Sequence, residues 1–156
     1  MAGKNSKDSG KKGPATIQNR KAGFDYHFEE VHEAGIVLVG SEVKSLFLGR
    51  ANLTDAYCQV ASGELWLFNL DIEPYEFANA FGHERRRKRK LLMHKKEIEQ
   101  LRRKTEEKGF SLIPAKIYFK DGKCKVSVAV ARGKKQYDKR ESIKERDEKR
   151  AMDRDL

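Results

Sequence analysis

A period of two in the apolar residues, interrupted by two tight-turn signals, limits most strongly how this chain can fold. Apolar and polar residues alternate over residues 57–70 around Ser62-Gly63, and over residues 112–130 around Asp121-Gly122. This alternation is typical of strands with one buried face, and Asp-Gly accepts the positive φ of a tight hairpin turn. The sequence therefore predicts two antiparallel hairpins.

Other patterns predict a further strand and two helices. The strand is indicated by three alternating aromatic residues, Phe24, Tyr26 and Phe28. Ser41 can cap a short helix that runs through Leu48 and ends at Gly49. A second helix, ending at Gly109, is predicted by one apolar stripe: Leu91, Ile98 and Leu101.

Short hairpin-connected strands with few helices predict a mainly β fold. The expected architecture is a small closed antiparallel barrel of the oligonucleotide-binding (OB) type, with two to three helices, over residues 22–131. Residues 1–21 hold few apolar side chains and are expected to form a flexible basic arm. Residues 132–156 are expected to form a basic tail that is disordered alone, because they offer no core face.

The distribution of charge indicates a polyanionic partner. Lys and Arg number 34 against 24 Asp and Glu, a formal net charge of +10. Residues 22–82 hold two basic and ten acidic side chains, whereas residues 83–104 hold eleven basic and three acidic. The six consecutive cations at 85–90 favour contact with a phosphate backbone. The alternative is a solvated linker before the second helix.

A second basic cluster follows the last predicted strand, at residues 132–140. Gly133 allows close approach to a phosphate, and Tyr137 offers a ring on which a base can stack. Residues 143–154 are helix-permissive but polar nearly all round. The alternative interpretation is a disordered, solubilising tail.

The sequence offers little support for catalysis, a metal site or a membrane span. His32-Glu33 begins like the zinc motif HExxH, but Ile36 occupies the last position. His27 and His32 differ in parity along the predicted strand, which would place them on opposite faces. The two cysteines lack metal-ligand spacing, and no apolar stretch is long enough for a bilayer. We expect a cytoplasmic protein that is not an enzyme and needs no cofactor.

Six separated blocks resemble, in order, the SsrA-binding protein (SmpB) family over about residues 15–146. These blocks are Asn19-Arg20-Lys21-Ala22, Glu33-Ala34-Gly35-Ile36, Glu42-Val43-Lys44-Ser45-Leu46, Ala51-Asn52-Leu53, residues 89–95, and Gly133-Lys134-Lys135 with Asp138-Lys139-Arg140.

The resemblance implies a bacterial trans-translation factor that binds the tRNA-like domain of transfer-messenger RNA (tmRNA) and delivers it to stalled ribosomes. Its implied partners are the small ribosomal subunit with its rRNA, and elongation factor Tu with alanyl-charged tmRNA. The tail is implied to become helical in the empty mRNA path. The alternative function is that of a small ribosome-associated structural or RNA-processing protein.

The resemblance also implies three groups of site residues. The expected RNA-binding residues are Asn19, Lys21, Tyr26, Glu33, Lys44, Asn52, Arg89, Lys90, Leu92, His94, Lys95 and Lys125. The expected decoding-centre contacts are Gly133, Lys134, Lys135, Tyr137, Asp138, Lys139 and Arg140. The expected residues of the tail in the mRNA path are Ile143, Lys144 and Met152.

Two positions depart from the family pattern. Phe47 stands where the family often has Arg, and Arg50 lies one turn further on. Tyr137 replaces the His of some members, which keeps a ring for stacking but removes a group that titrates near neutral pH.

Overall fold

The computed structural model describes residues 13–75 and 84–155. Residues 1–12 of the predicted arm therefore lie outside the described residues. The elements, in chain order, are β1 (Ile17–Gln18), α1 (Arg20–Asp25), β2 (Tyr26–Ile36), α2 (Gly40–Phe47), β3 (Ala51–Asn52), β4 (Tyr57–Ala61), β5 (Glu64–Phe68), β6 (Asp71–Ile72), β7 (Arg89–Leu92), α3 (Lys95–Lys108), β8 (Ser111–Lys120), β9 (Lys123–Gly133) and α4 (Gln136–Asp155).

The main sheet closes on itself, which confirms the predicted antiparallel barrel. Its hydrogen-bonded order is β1-β8-β4-β5-β7-β2-β9, and β9 also pairs with β8. Six strands thus form the closed ring, and β1 is added on β8 through the pair Ile17 and Ile117. A separate two-stranded ladder joins β3 and β6.

Both predicted hairpins are confirmed, with positive φ at both central residues of each turn. Ser62 and Gly63 have φ of 54° and 77°, and Asp121 and Gly122 have φ of 52° and 76°. Such turns match the twist of the flanking strands. They fix the register of β4 with β5 and of β8 with β9.

Inward-facing aliphatic side chains fill the barrel. Alternate residues of the strands are fully buried, among them Leu65, Leu67, Ile117, Val126, Val128 and Val130. Leu46 of α2 and Leu101 of α3 join the same core and are also buried. The two helices therefore cover apolar surface that the strands alone would leave exposed.

The strand predicted from Phe24 is wrong in its first part. Phe24 lies in α1, and the strand begins at Tyr26. Asn19 starts the helix because its Oδ1 accepts a hydrogen bond from the N–H of Ala22 at 3.1 Å. A capping side chain before a short segment has overridden the alternation of its aromatic residues.

A β-bulge in β2 changes which side its residues face. The register shifts between Phe28 and Glu30, so Glu29 is an extra residue against β9. His27 pairs with Arg132 and His32 pairs with Val128, which lie on one side of β9. The expectation that the two histidines face opposite sides is therefore wrong.

The two predicted helices are present with different beginnings. The first, α2, begins at Gly40, so Ser41 is not its cap; Glu42 Oε1 instead accepts the N–H of Val39 at 3.0 Å. The second, α3, begins at Lys95, whereas Leu91 lies in β7. Both helices end as predicted, before Gly49 and Gly109, which have φ of 77° and 71°.

The body contains three helices, α1, α2 and α3, within the predicted two to three, and a fourth, α4, lies in the tail. Residues 17–21, placed in the arm by sequence, form β1 and the start of α1. The tail, expected to be disordered alone, forms the 20-residue helix α4. It joins the body where the N–H of Lys134 donates to the backbone O of Asp25 at 2.8 Å.

Candidate RNA interface

A buried ionic cluster inside the barrel uses two cations of the basic run. Arg89 Nε donates to Glu42 Oε2 at 2.8 Å, and Arg87 Nη2 donates to Glu42 Oε1 at 2.5 Å. Arg89 also donates to the backbone O of Leu70 at 2.8 Å and of Arg85 at 3.2 Å. Burial raises the pKa of Glu42, but the hydrogen bonds from Arg87 and Arg89 outweigh it and hold the pKa below its usual value.

Arg89 therefore cannot serve as an RNA contact, contrary to its assignment from sequence. Its side chain is 0% exposed. A buried guanidinium is stable only with its charge and hydrogen bonds matched, and Glu42 provides that match. Arg89 orders the segment that precedes β7 and so positions its neighbours.

The rest of the basic run is folded, so the alternative of a solvated linker is also wrong. Arg85 and Arg86 lie 2.9 Å and 3.7 Å from the carboxylate oxygens of Asp71. Lys88 is exposed, and Lys90 is partly exposed with its Nζ 3.2 Å from Glu64 Oε1. Five of the six cations of the run thus form ion pairs within the protein, and the sixth, Lys88, lies above the Trp66 ring.

One row of residues crosses four strands on the outside of the barrel. Gly35 of β2 pairs with Leu92 of β7 on one side and with Lys125 of β9 on the other. Lys125 in turn pairs with Tyr118 of β8. Paired residues of antiparallel strands face the same side. We call these four residues the outer row.

The outer row combines an exposed apolar residue with a cation and an aromatic ring. Leu92 is 52% exposed. A Cβ on Gly35 would come within 3.4 Å of Leu92 Cβ, so glycine keeps the surface beside Leu92 open. An open groove of about 420 Å³ is lined by Gly35, Leu92 and Lys125 of the row, and Val43 of α2 and Lys123 also line it.

Glu33 lies beside the outer row and is held by its neighbours. Tyr118 Oη donates a hydrogen bond to Glu33 Oε1, and Lys120 Nζ lies 3.6 Å from the same oxygen. The hydrogen bond from Tyr118 lowers the pKa of Glu33, as do the charges of Lys120 and Lys125. Glu33 is therefore an exposed hydrogen-bond acceptor at neutral pH.

Several cations near the outer row were missed by sequence reasoning. Lys116 Nζ lies 5.2 Å from the centre of the Tyr118 ring. Lys120 pairs with Lys123 at the turn end of β8 and β9. The sequence could have identified these lysines, because they alternate with apolar residues and therefore lie on the outer face of the predicted hairpin.

A second cleft brings together three residues expected from the resemblance. Lys21 and Tyr26 line an open cleft of about 340 Å³ with Thr54 and Asp55. Asn52 Oδ1 accepts the N–H of Thr54 at 2.8 Å and so shapes the loop of this cleft. Lys21 Nζ is 3.8 Å from Asp55.

Asn19 also lines this cleft and is 6% exposed. Its side chain accepts from Ala22 and donates to the backbone O of Pro114 at 3.0 Å. Both hydrogen bonds are internal to the fold. Asn19 therefore positions α1 against β8, and the structure does not place it at the surface as an RNA contact.

The remaining expected contacts lie on helices. His94 and Lys95 are exposed at the start of α3, two and three residues after Leu92. Lys44 is exposed on α2, with its Nζ 5.3 Å from the centre of the Tyr75 ring. Phe47 packs edge-on against Phe119, with ring centres 5.8 Å apart, so the departure at this position has an apolar role.

The tail segment begins at the corner where β2 and β9 pair, at Tyr26 and Gly133. Lys134 Nζ donates to Ser142 Oγ at 2.7 Å, and Lys139 Nζ lies 3.4 Å from Asp25 Oδ1. Of the residues expected to act in this segment and in α4, the exposed ones among the described side chains are Gly133, Lys135, Arg140, Ile143, Lys144 and Met152. Tyr137 and Asp138 belong to α4, and their side chains lie outside the described residues.

Within residues 13–75 and 84–155, no three His, Cys, Asp or Glu side chains are grouped as metal ligands. In the same part of the chain, no helix has the length and apolarity needed to span a bilayer. Burial raises the pKa of Cys58, and it raises the pKa of Cys124 to about 11. Both thiols are therefore protonated at neutral pH.

Comparison with known proteins identifies the family of the chain. The family model described as "SmpB protein" matches residues 16–156. An SsrA-binding protein of Thermobifida fusca (strain YX) is 51% identical, over 100% of this chain and 98% of its own length. An SsrA-binding protein of Staphylococcus aureus (strain JH1) is 53% identical, over 94% of this chain and 96% of its own length.

A solved structure described as "tmRNA-SmpB: a journey to the center of the bacterial ribosome" matches with a TM-score of 0.66 and 45% identity. The match covers 82% of this chain and 94% of that chain. The family model and the relatives each cover most of the sequence. The chain belongs to the SmpB family of SsrA-binding proteins.

Proposed function

We propose that this protein binds the tRNA-like domain of tmRNA and delivers it to stalled ribosomes for trans-translation. The observation that carries the proposal is the outer row, where Leu92, Lys125 and Tyr118 lie side by side with Glu33 next to them. Cations can neutralise phosphates, the tyrosine ring can stack, and the carboxylate can accept from a base or a 2′-hydroxyl. These are the chemical needs of a folded RNA partner.

The RNA interface includes the outer row with its neighbouring cations, the start of α3, Lys44, and the cleft at Lys21, Tyr26 and Asn52. Arg89 and Asn19 support it from inside the fold through their hydrogen bonds to Glu42 and Pro114. Arg89 and Asn19 can therefore support binding by positioning other residues, without touching RNA themselves. Substituting either residue should lower stability together with affinity.

The tail supplies the ribosome-directed part of the function. Gly133, Lys134 and Lys135 leave the barrel at one corner, and α4 continues for 20 residues with exposed basic side chains. We place residues 133–140, with Tyr137 as a stacking ring, at the decoding centre, and Ile143, Lys144 and Met152 in the empty mRNA path. A ribosome with mRNA in that path would exclude the tail, which gives selectivity for stalled ribosomes.

The protein acts as a binding factor in the cytoplasm, with elongation factor Tu and alanyl-charged tmRNA as further partners. We assign it no catalytic residue. Lys139 and Asp25 are charged groups in contact, but their ion pair attaches the tail to the body, and Lys134 Nζ donates a hydrogen bond to Ser142 within the tail. The cations on and beside the outer row, Lys116, Lys120, Lys123 and Lys125, favour an RNA-binding factor over an RNA-processing enzyme.

Binding of a tRNA-like-domain transcript to the Lys125→Gln variant tests the interface. Loss of one phosphate contact should weaken binding and reduce the slope of log affinity against log salt by about one. Lys108→Gln is the matched control, because Lys108 is an exposed lysine at the far end of α3. Equal affinities and slopes for wild type and Lys125→Gln would contradict the assigned surface.

Truncation after Lys135 tests the division between body and tail. The shortened protein should bind the transcript with nearly unchanged affinity, since the outer row is intact, and should lose peptide tagging on stalled ribosomes. Parallel loss of both activities would refute separate roles. Retention of both would show that α4 is dispensable.

A further inference from the structure

The outer surface of β4, β5 and β7 carries an aromatic group to which the proposed interface assigns no role, although one of its rings, Tyr57, borders the cleft at Lys21 and Tyr26. Tyr57 of β4 pairs with Phe68 of β5, and their rings stack with centres 5.1 Å apart and planes 14° apart. Trp66 lies two residues before Phe68 and so faces the same side. Lys88 Nζ lies 4.7 Å above the centre of the Trp66 ring. We call these four residues the aromatic platform.

The barrel does not need these rings to fill its core. Leu65 and Leu67, the alternate residues of β5, are fully buried and supply the inward face of the strand. Tyr57 is 42% exposed, and Lys88 is exposed beside the Trp66 ring. Large rings clustered on an outward face are typical of binding surfaces.

The platform is continuous with the outer row. Trp66 pairs with Lys90 of β7, and Lys90 lies two residues before Leu92 on the same face of that strand. A polymer bound along the outer row would therefore reach Lys90 and then the rings without crossing to another side of the barrel. This continuity connects the platform with the partner already proposed.

We infer that the aromatic platform is a further RNA-binding site, which takes an unstacked base on the Tyr57 ring and an adjacent phosphate on Lys88. The inference rests on the proposed function and extends the proposed RNA interface across β7, β5 and β4. Every base has an aromatic face that can stack on tyrosine, whatever its sequence. The cation–π contact keeps the Lys88 charge at the surface, where a phosphate can reach it.

The charges favour RNA over a protein partner on this face. Lys88 and Lys90 flank the rings, while Glu64 is paired with Lys90 at 3.2 Å. The chain as a whole carries a formal net charge of +10. A polyanion gains from both cations at once, and its bases can use the rings between them.

Trp66 provides a direct test, because it is the only tryptophan of the chain. A tRNA-like-domain transcript at saturation should change Trp66 fluorescence and protect it from quenching by acrylamide. Unchanged fluorescence and unchanged quenching at saturation would overturn the inference. A Trp66 fluorescence that changes with protein concentration in the absence of RNA would assign the platform to self-association, and this result would also overturn the inference.

Variants test each part of the platform. Tyr57→Ala should weaken transcript binding by about fivefold to 150-fold, the range for loss of one base–aromatic stack, whereas Tyr57→Phe should bind as wild type. Lys88→Gln should reduce the salt slope by about one, and Lys108→Gln should not. Wild-type affinity of a folded Tyr57→Ala variant, with folding checked by circular dichroism, would refute the stacking role.

Failure of this inference can be distinguished from failure of the proposed function. Filter binding of the same transcript to the wild-type protein reports the interaction without using Trp66. Binding with a silent Trp66 would leave tmRNA recognition in place and remove only the platform. Absence of binding would contradict the proposed function itself.

Discussion

Replacing Glu42 by glutamine removes the only carboxylate that contacts Arg89 Nε and Nη2 among the described residues. Arg89 is fully buried, so the variant leaves a guanidinium without its counter-charge inside the barrel. Loss of one partner of a buried ion pair costs about 3–5 kcal/mol. We expect the free energy of unfolding of Glu42→Gln to fall by that amount.

Urea unfolding, followed by circular dichroism and by Trp66 fluorescence, measures this loss. The control is Glu99→Gln, which breaks exposed helical ion pairs with Arg102 and Arg103 and should lower the free energy of unfolding far less than Glu42→Gln does. A loss below about 1 kcal/mol for Glu42→Gln would refute the reasoning, since it would fall in the range of a surface pair.

The same cluster predicts how stability depends on pH. The pKa of Glu42 in the folded protein lies below its ordinary value of 4.5. Its contribution is therefore fully present above pH 4.5 and is lost as the pH falls through the lower folded pKa. The wild type should lose more stability on acidification than Glu42→Gln does, and identical acid profiles would show that Glu42 does not titrate with a lowered pKa.

Three further substitutions test other parts of the structure. Leu101→Ala should lower the free energy of unfolding by about 2–5 kcal/mol, because Leu101 is 1% exposed in the core; thermal unfolding measures it. Gly122→Ala should lower the free energy of unfolding by about 1–2 kcal/mol, because φ is 76° at this position. Its control in urea unfolding is Gly13→Ala, because the added methyl group meets nothing within 4 Å. Tyr118→Phe should raise the pKa of Glu33 by removing its hydrogen bond, and a carboxyl titration by NMR that matches the wild type would contradict this.

Local chemistry made the hairpins and the helix ends predictable from sequence. Asp121-Gly122 and Ser62-Gly63 dictate their turns through their own backbone preferences, and Gly109 ends α3 for the same reason. The outer position of Lys125 also follows from alternation along β9. These features depend on residues that are close together in the chain.

Features that depend on distant residues were not predictable in this way. Arg89 looked like its five basic neighbours, and its burial depends on Glu42, which lies 47 residues earlier. Leu91 fits a helical stripe and a strand equally well, and its pairing with Leu65 places it in β7. Asn19 became an internal residue because Pro114 accepts its side chain across 95 residues.

The attachment of α4 to one corner of the barrel has a mechanical consequence. A continuous helix of 20 residues is about 30 Å long. Acting as a lever arm, it would convert a tilt of the body by about 10° into a displacement of about 5 Å at its tip. The far end of the protein would thus reach a given target only when the RNA seats the barrel at the correct angle.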